Sequence, residues 1–317
     1  MVLAYDPALA AVLGSSEGSS EPVGMAATAR GDALALRAAI DADTDAAFGV
    51  LPTFEAVTST SHVMDVADGA RIELRWYTTA DVQPGPAVVY VHGGGLIGGT
   101  LDNYEPSIKF LVDLTGVPFL HVGYRLAPEH RGTVPASDAV AGIRWVIQHR
   151  DELGVDASRV AVMGDSGGGA VAAGAAILAR DEGIELSRQI LIYPMLDDRN
   201  VDPDPHLADL ATWTYDNNFT GWDALLGDDR GTADVPAAAA PARLGDFAGL
   251  APAYIEVGEL DIFRDESIAY ASQLWAAGVS CELHVHPGSP HGHEWIDPDA
   301  DVARRSIADR VRVIRSL

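Results

Sequence analysis

Short apolar runs occur one at a time along most of this chain, and helical stretches separate most of them. The helical stretches include Ala136–Arg150, Gly167–Arg180 and Asp265–Gly278, and the runs are AVVYVH, PFLHVGY, RVAVMGD, QILIYP, PAYIEVG and CELHVHP. Such alternation is typical of a parallel sheet covered by helices on both faces. Earlier, FEAVTSTSHVMDV and RIELRWYTT alternate as antiparallel strands do, with a turn at Asp68-Gly69. We therefore predict an α/β fold with a mostly parallel, eight-stranded sheet flanked by helices.

The composition argues against several classes of partner. The chain has 317 residues and a net charge of −25, and a surface this acidic repels phosphate backbones and anionic lipids. We therefore expect neither a nucleic-acid nor a membrane partner.

The single cysteine, Cys281, cannot form an internal disulfide. Because the first residues do not resemble a signal peptide and no apolar run approaches about 18 residues, we predict a cytoplasmic protein. Whether it forms a homodimer stays open.

Two segments stand outside the alternation of strands and helices. Residues 1–50 have loosely amphipathic helical character, interrupted by the polar GSSEGSSEP. Residues 197–250 form a long insertion between the QILIYP and PAYIEVG runs, and long insertions in compact domains are usually functional. Its aromatic residues either line a pocket or attach the insertion to the core; they are Trp213, Phe219 and Trp222. Residues 51–317 are the predicted core.

A serine between glycines lies at the junction of an apolar run and an alanine-rich helix. Gly164, Ser166 and Gly168 match the pattern G-x-S-x-G, which places a nucleophilic serine on a tight turn from strand to helix. The helix begins behind the serine, so its free N–H groups can receive developing negative charge. The alternative is a glycine-rich turn that holds a phosphate group. The motif alone does not decide between the two.

A second glycine-rich turn follows the AVVYVH run. His92 begins the sequence HGGG, in which consecutive glycines let backbone N–H groups approach a ligand closely. We interpret His92 as a residue that shapes the loop rather than as a base. Gly93, Gly95 and Gly98 also match G-x-G-x-x-G, a dinucleotide-binding pattern. That pattern requires an acidic residue at the end of the next strand, and HVGYR offers none there.

A base and its acidic partner follow the serine in chain order. Asp261 comes just after the PAYIEVG run, and His291 lies in the loop HPGSPHGHEW after the last run. The order serine, acid, histidine is the one that the G-x-S-x-G context predicts. Asp261 and Asp265 could each instead cap a helix, as acidic residues commonly do. We predict Ser166, His291 and Asp261 as the catalytic residues.

The C-terminal histidines allow a different interpretation, a metal site. His284, His286, His291 and His293 lie close in sequence, with Glu294 beside them. Neither an H-E-x-x-H nor a C-x-x-C spacing accompanies them, and those spacings carry most zinc predictions. We therefore predict no metal site, and we expect no metal or organic cofactor.

These motifs together resemble those of the bacterial hormone-sensitive-lipase-like family of α/β-hydrolase carboxylesterases. The resemblance covers about three quarters of the chain, and it is carried by HGGG, YRLAPEH at Tyr124–His130, GDSGGG and the D…HG ending. It implies an α/β-hydrolase fold with a helical cap, built from residues 1–50 and the insertion. It also implies oxyanion N–H donors at Gly94, Gly95 and Gly167. Two further segments, DEGIELSRQILIYPMLDDR and AGVSCELHVHPGSPHG, resemble those of actinobacterial carboxylesterases.

The resemblance also implies an activity and a pocket. We predict a serine carboxylesterase that hydrolyses small esters with acyl chains of about two to eight carbons, through an acyl-enzyme. Leu96, where the family usually has an aromatic residue, is expected to widen the substrate pocket, which also includes Asp165 and Trp213. The same residues could cleave amides, lactones or carbohydrate acetates. A protein that binds a small molecule without catalysis, as the related plant hormone receptors do, is the alternative from a different class.

Overall fold

A computed structural model describes residues 3–14, 27–79 and 84–317. Its strands are β1 (Val57–Asp65), β2 (Arg71–Thr79), β3 (Gly85–Val91), β4 (Phe119–Val122), β5 (Val155–Asp165), β6 (Arg188–Ile192), β7 (Ala253–Gly258) and β8 (Cys281–His286). Its α-helices are α1 (Pro7–Gly14), α2 (Ala33–Phe48), α3 (Glu105–Thr115), α4 (Val134–Gln148), α5 (Arg150–Leu153), α6 (Gly167–Asp181), α7 (Tyr215–Leu226), α8 (Arg264–Ala276), α9 (His293–Ile296) and α10 (Asp301–Arg315). In the described part of the chain, no helix is both long and apolar enough to cross a membrane.

The strands form one eight-stranded sheet in the order β1-β2-β4-β3-β5-β6-β7-β8. Strand β2 runs antiparallel to both of its neighbours, and every other neighbouring pair is parallel. The turn between β1 and β2 lies at Asp68-Gly69 as predicted, with Gly69 at a φ of 83°. The mostly parallel α/β fold is therefore confirmed.

The strand order places a crevice at one edge of the sheet. Strand β3 has β4 on one side and β5 on the other, so the connections leave β3 and β5 in opposite directions. In open α/β sheets, ligands bind outside the carboxyl ends of strands at such a reversal. The HGGG turn directly follows β3, and Ser166 directly follows β5. The two glycine-rich motifs are thus brought to the same crevice.

Small residues allow the helix behind Ser166 to pack closely. Helix α6 is rich in alanine and glycine, and most of its residues are buried against α4 and the sheet. A Cβ atom at Gly174 would lie 2.2 Å from the carbonyl oxygen of Ala238, in the insertion. Glycine is therefore required there for the insertion to approach α6, although it is a poor residue within a helix.

The N-terminal helices pack next to the insertion and to the C-terminal loop. Helix α1 contacts α9, and α2 contacts both α7 and α9. Asp32 caps the first turn of α2 by accepting a 3.0 Å hydrogen bond from the N–H of Ala35. The polar segment GSSEGSSEP, predicted to interrupt these helices, lies outside the described residues except for its first glycine.

Candidate active site

Ser166 occupies a strained turn between β5 and α6. Its φ of 55° and ψ of −120° lie in a region that residues with side chains rarely adopt. A Cβ atom at Gly164 would lie 2.2 Å from the carbonyl oxygen of Gly168, and one at Gly168 would lie 2.2 Å from that of Val91. Both positions of the G-x-S-x-G pattern therefore require glycine, because any side chain there would collide with backbone atoms. Such a turn costs about 1–3 kcal/mol and is typical of functional sites.

Hydrogen bonds join Ser166, His291 and Asp261 in a continuous chain. The Oγ atom of Ser166 lies 2.8 Å from Nε2 of His291. On the other side of the ring, Nδ1 lies 2.7 Å from Oδ2 of Asp261. The other carboxylate oxygen of Asp261 accepts a 2.9 Å bond from the N–H of Phe263, which fixes the orientation of the carboxylate. These distances are within the range that proton transfer to a base requires.

The structure also distinguishes the two acidic candidates. Asp261 follows β7 at the edge of the sheet where Ser166 lies, and it is fully buried. Asp265 is exposed in the first turn of α8 and pairs with the neighbouring Arg264 at 2.7 Å. Asp261 is therefore the acid that the fold brings to His291.

The HGGG turn presents backbone N–H groups beside the serine. Gly94 and Gly95 have φ values of 109° and 59°, which glycine adopts at little cost. A Cβ atom at Gly167 would lie 2.8 Å from the nitrogen of Gly95, so the two residues face one small space. Within the described residues, no acceptor pairs with the N–H groups of Gly94 and Gly95. Gly167 begins α6, where N–H groups lack partners within the helix.

A pocket of about 310 Å³ opens above these groups. Helix α2 contributes five side chains to its lining, from Ile40 to Phe48, and the insertion contributes Thr212 and Trp213. Ser166, Asp165 and His291 lie in the same lining. The predicted pocket residues Asp165 and Trp213 are thus placed beside the serine.

Comparison with known proteins identifies the family of this chain. The pattern that defines the alpha/beta hydrolase fold family matches residues 88–294. The chain belongs to the α/β-hydrolase family. It is 39% identical to the carboxylesterase NlhH of Mycobacterium tuberculosis over 66% of each chain, just under two thirds. It is 34% identical to the ethyl acetate hydrolase of Pseudomonas putida, over 71% of this chain and 72% of that one. The solved structure of bacterial heroin esterase superposes with a TM-score of 0.89, at 35% identity, over 98% of this chain and 97% of that one.

One predicted pocket residue of this α/β hydrolase lies elsewhere. The side chain of Leu96 is 1% exposed and does not line the pocket above Ser166. Leu96 has a φ of 71°, so the chain turns sharply there, and the residue lines a separate small cavity with Ala170 and Leu225. The prediction that Leu96 widens the substrate pocket is therefore wrong.

The aromatic residues of the insertion divide between the two predicted roles. Trp213 lines the pocket, and the edge of its ring covers Gly95. Trp222 is fully buried away from the pocket, so it serves to attach the insertion to the core. Phe219 lies beneath the guanidinium groups of Arg30 and Arg230, at 3.9 and 4.3 Å from the ring centre.

Two tyrosines that no sequence motif predicts, Tyr90 and Tyr104, hold Asp165. The Tyr90 hydroxyl donates to Oδ1 of Asp165, and the Tyr104 hydroxyl lies 3.3 Å from Oδ2. Burial raises the pKa of Asp165 to about 6, even though the bond from Tyr90 favours the charged form. The pocket therefore contains a carboxylate that becomes protonated as the pH falls below about 6.

His92 stabilises the HGGG turn from below. It is buried, its Nδ1 lies 2.8 Å from the carbonyl oxygen of Gly93, and its ring stacks on Tyr124 at 4.5 Å. Burial lowers the pKa of His92 to about 4, so the ring is neutral at ordinary pH. The contacts agree with a residue that shapes the loop.

The remaining C-terminal histidines have other partners. His284 lies 2.7 Å from Glu282 and 3.7 Å from Asp309, close enough for the three to share an ion. Arg312, however, pairs with both of those carboxylates. His286 and His293 are buried with their ring centres 5.3 Å apart. Burial lowers the pKa of both rings.

Proposed function

We propose that this protein hydrolyses carboxylic esters with short to medium acyl chains, through an acyl-enzyme formed on Ser166. The observation that carries the proposal is the hydrogen-bonded chain from Ser166 through His291 to the buried Asp261. The enzyme class, a carboxylic-ester hydrolase, is the one that its named relatives share. The cytoplasmic location and the absence of nucleic-acid and membrane partners stay predictions, and a homodimer stays open.

The first half of the reaction uses the groups of the candidate active site. Oγ of Ser166 attacks the ester carbonyl carbon while Nε2 of His291 takes the hydroxyl proton. Asp261 holds the imidazole in the required tautomer and stabilises the imidazolium, without taking the proton itself. The N–H groups of Gly94, Gly95 and Gly167 bind the tetrahedral oxyanion, where the loss of one donor typically costs about 3 kcal/mol.

The second half regenerates the enzyme. The tetrahedral intermediate collapses, the bond to the alcohol oxygen breaks, and His291 returns its proton to that oxygen. Water then attacks the acyl carbonyl carbon on Ser166 while His291 takes a proton from the water. The second tetrahedral intermediate collapses, the bond to Oγ breaks, and His291 returns that proton to Oγ as the carboxylic acid leaves. Atoms and protons therefore balance with ester and water as the only reactants.

The pocket lining supports a cap made of residues 1–50 and the insertion. Helix α2 is tied to the loop that follows the HGGG turn, because Asp41 accepts a 2.8 Å bond from the N–H of Gly99. Arg37 donates to the carbonyl oxygen of Ala127 at 2.7 Å and pairs with Glu129 in the YRLAPEH motif. A pocket of about 310 Å³ limits how long an acyl chain can be while its carbonyl reaches Ser166.

A series of p-nitrophenyl esters from acetate to palmitate tests both activity and pocket size. We expect kcat/KM to be highest between about two and eight acyl carbons and at least about tenfold lower for palmitate, because the longer chain cannot place its carbonyl within attack distance. Palmitate turnover equal to that of butyrate would contradict the cap. No turnover of any member would contradict the proposed activity itself.

The charge of the pocket predicts a preference among esters of equal size. Asp43 and Asp165 line it, and within the described lining there is neither lysine nor arginine. Aromatic side chains, which attract cations, also line it, among them Phe48, Trp213 and Trp295. We expect acetylcholine to have a kcat/KM about threefold above that of its neutral isostere, 3,3-dimethylbutyl acetate. Below about pH 6 the ratio should fall, because Asp165 then takes a proton.

Two variants of α2 distinguish the effect of a charge in the pocket from the effect of the net charge of the protein. Asp43 and Asp45 are both exposed on α2, and only Asp43 lines the pocket. Asp43→Asn should lower the acetylcholine preference, and Asp45→Asn, which changes the net charge equally, should leave it unchanged. A neutral isostere hydrolysed as well as acetylcholine by the wild-type protein would contradict this prediction.

A further inference from the structure

Tyr193 has a backbone conformation that needs support from its surroundings. It directly follows β6 and has a φ of 34°, one of three positive values at non-glycine residues in the described chain. The other two are Leu96 and Ser166, both in the turns that form the candidate active site. The N–H of Tyr193 donates a 2.6 Å bond to the carbonyl oxygen of Glu256. An unusual conformation held by specific contacts is typical of functional positions.

The ring of Tyr193 lies against the imidazole of His291. Their ring centres are 4.6 Å apart and their planes meet at 65°, an edge-to-face contact. Phe263 makes a second such contact at 5.2 Å and 84°, and Trp213 lies at 6.3 Å. The imidazole is therefore oriented by aromatic side chains as well as by its two hydrogen bonds.

The hydroxyl of Tyr193 is anchored to a buried ion pair. It donates a 2.8 Å bond to Oε1 of Glu294, and the same carboxylate oxygen pairs with Arg310 at 2.5 Å. Glu294 is fully buried and Arg310 is 4% exposed. Burial alone would raise the pKa of Glu294, but the Arg310 guanidinium holds it at about 2. Glu294 is therefore a charged acceptor throughout the ordinary pH range.

The anchor and the base belong to one short segment. Glu294 lies three residues after His291, and Gly292 between them is in the left-handed conformation. Arg310, on α10, also pairs with Glu256 on β7, so the segment is connected to both a helix and the sheet. A displacement of Tyr193 would therefore move the imidazole of His291 through the ring contact, and a displacement of Glu294 would also move it through the backbone.

We propose that Tyr193 is a positioning residue for His291, with Glu294 and Arg310 as its anchor. The inference rests on the proposed role of His291 as the base. Loss of the Tyr193 hydroxyl releases the ring from Glu294 and allows the imidazole to move relative to Ser166. A displacement of about 1 Å at a catalytic group can lower the rate by about 10²-fold.

A matched pair of tyrosine variants tests this role. Tyr193 and Tyr254 both donate a hydroxyl hydrogen bond to a buried glutamate that pairs with Arg310, namely Glu294 and Glu256. Only Tyr193 contacts His291. With p-nitrophenyl acetate, we expect Tyr193→Phe to lower kcat about tenfold with KM within twofold. We expect Tyr254→Phe to leave both constants within twofold, while the melting temperatures of the two variants fall by similar amounts.

A second pair of variants, at Glu294, tests the same role if Tyr193→Phe does not fold. Glu294→Gln retains a carbonyl oxygen that accepts the Tyr193 hydroxyl bond, and Glu294→Ala does not. We expect kcat of the glutamine variant to lie closer to wild type than that of the alanine variant, at equal KM.

Three outcomes would overturn the inference. Equal kcat in Tyr193→Phe and Tyr254→Phe would show that the hydroxyl serves stability alone. Equal kcat in Glu294→Gln and Glu294→Ala would show that the acceptor does not position the ring. A wild-type protein without esterase activity would overturn the proposed function, and this inference with it.

Discussion

Replacing Ser166 with alanine should lower kcat for p-nitrophenyl acetate by at least about 10⁴-fold, because no other group then forms the acyl-enzyme. A residual rate above that in water should remain, since the oxyanion donors and the pocket are intact. Stability should change little. The hydroxyl makes one side-chain hydrogen bond, to His291, and alanine meets the same unfavourable φ of 55°. Steady-state kinetics and thermal melting followed by circular dichroism measure both quantities.

A serine outside the site provides the control. Ser137 is exposed on α4, and Ser137→Ala should keep wild-type kcat and melting temperature. Near-normal activity of Ser166→Ala, with the fold intact, would remove the assigned nucleophile and with it the proposed mechanism.

Replacing Asp261 with asparagine should lower kcat by about 10⁴-fold although the two side chains have the same shape. The carboxylate accepts the Nδ1–H of His291 at 2.7 Å, which leaves Nε2 free to take the proton of Ser166. An amide N–H₂ group in that place favours the opposite tautomer, in which Nε2 carries a hydrogen and cannot act as a base. The imidazolium also loses its negative partner. The same kinetic assay checks the result, with circular dichroism to confirm the fold.

Asp265 is the matched control for this substitution. It is exposed on α8 and pairs with Arg264, so Asp265→Asn should keep kcat within twofold. The reverse pattern, a damaged Asp265→Asn and an active Asp261→Asn, would mean that the acid is wrongly assigned.

The main features of the fold and the three residues of the hydrogen-bonded chain, Ser166, His291 and Asp261, could be predicted because their signals are local. A parallel strand that is buried on both faces is an unbroken apolar run, and the helices between such strands have their own periodicity. The turn at Ser166 requires glycine at Gly164 and Gly168 because of contacts within a few residues or to the adjacent strand. Chain order then supplied Asp261 and His291.

The lining of the pocket could not be predicted in the same way. Leu96 follows two glycines with positive φ values, and its side-chain direction depends on dihedral angles that the sequence does not specify. The leucine in place of the family's aromatic residue therefore predicted that Leu96 lines the substrate pocket, and the structure places its side chain elsewhere. Asp43 lines the pocket only because α2 packs beside the insertion, a contact between segments far apart in the chain.

The residues proposed to position His291 could not be predicted from the sequence for a similar reason. Tyr193, Glu294 and Arg310 come from a strand end, a short helix and the C-terminal helix, and none of them belongs to a recognisable spacing. The sequence offers one indirect signal: Arg310 lies among the apolar positions of α10, where an ordinary amphipathic helix would bury an apolar side chain. A buried charge of that kind requires partners, and the structure shows them to be Glu256 and Glu294.

Covalent labelling tests the central claim, that Ser166 is a nucleophile activated by His291, most directly. A p-nitrophenyl phosphonate ester should react once per chain, releasing one equivalent of p-nitrophenol and adding one phosphonyl group to the protein mass. Fragmentation of the labelled peptide should place that group on Ser166, Ser166→Ala should gain no mass, and His291→Ala should react at least about 10²-fold more slowly. A phosphonyl group on another residue, or a wild-type protein that gains no mass, would contradict the mechanism.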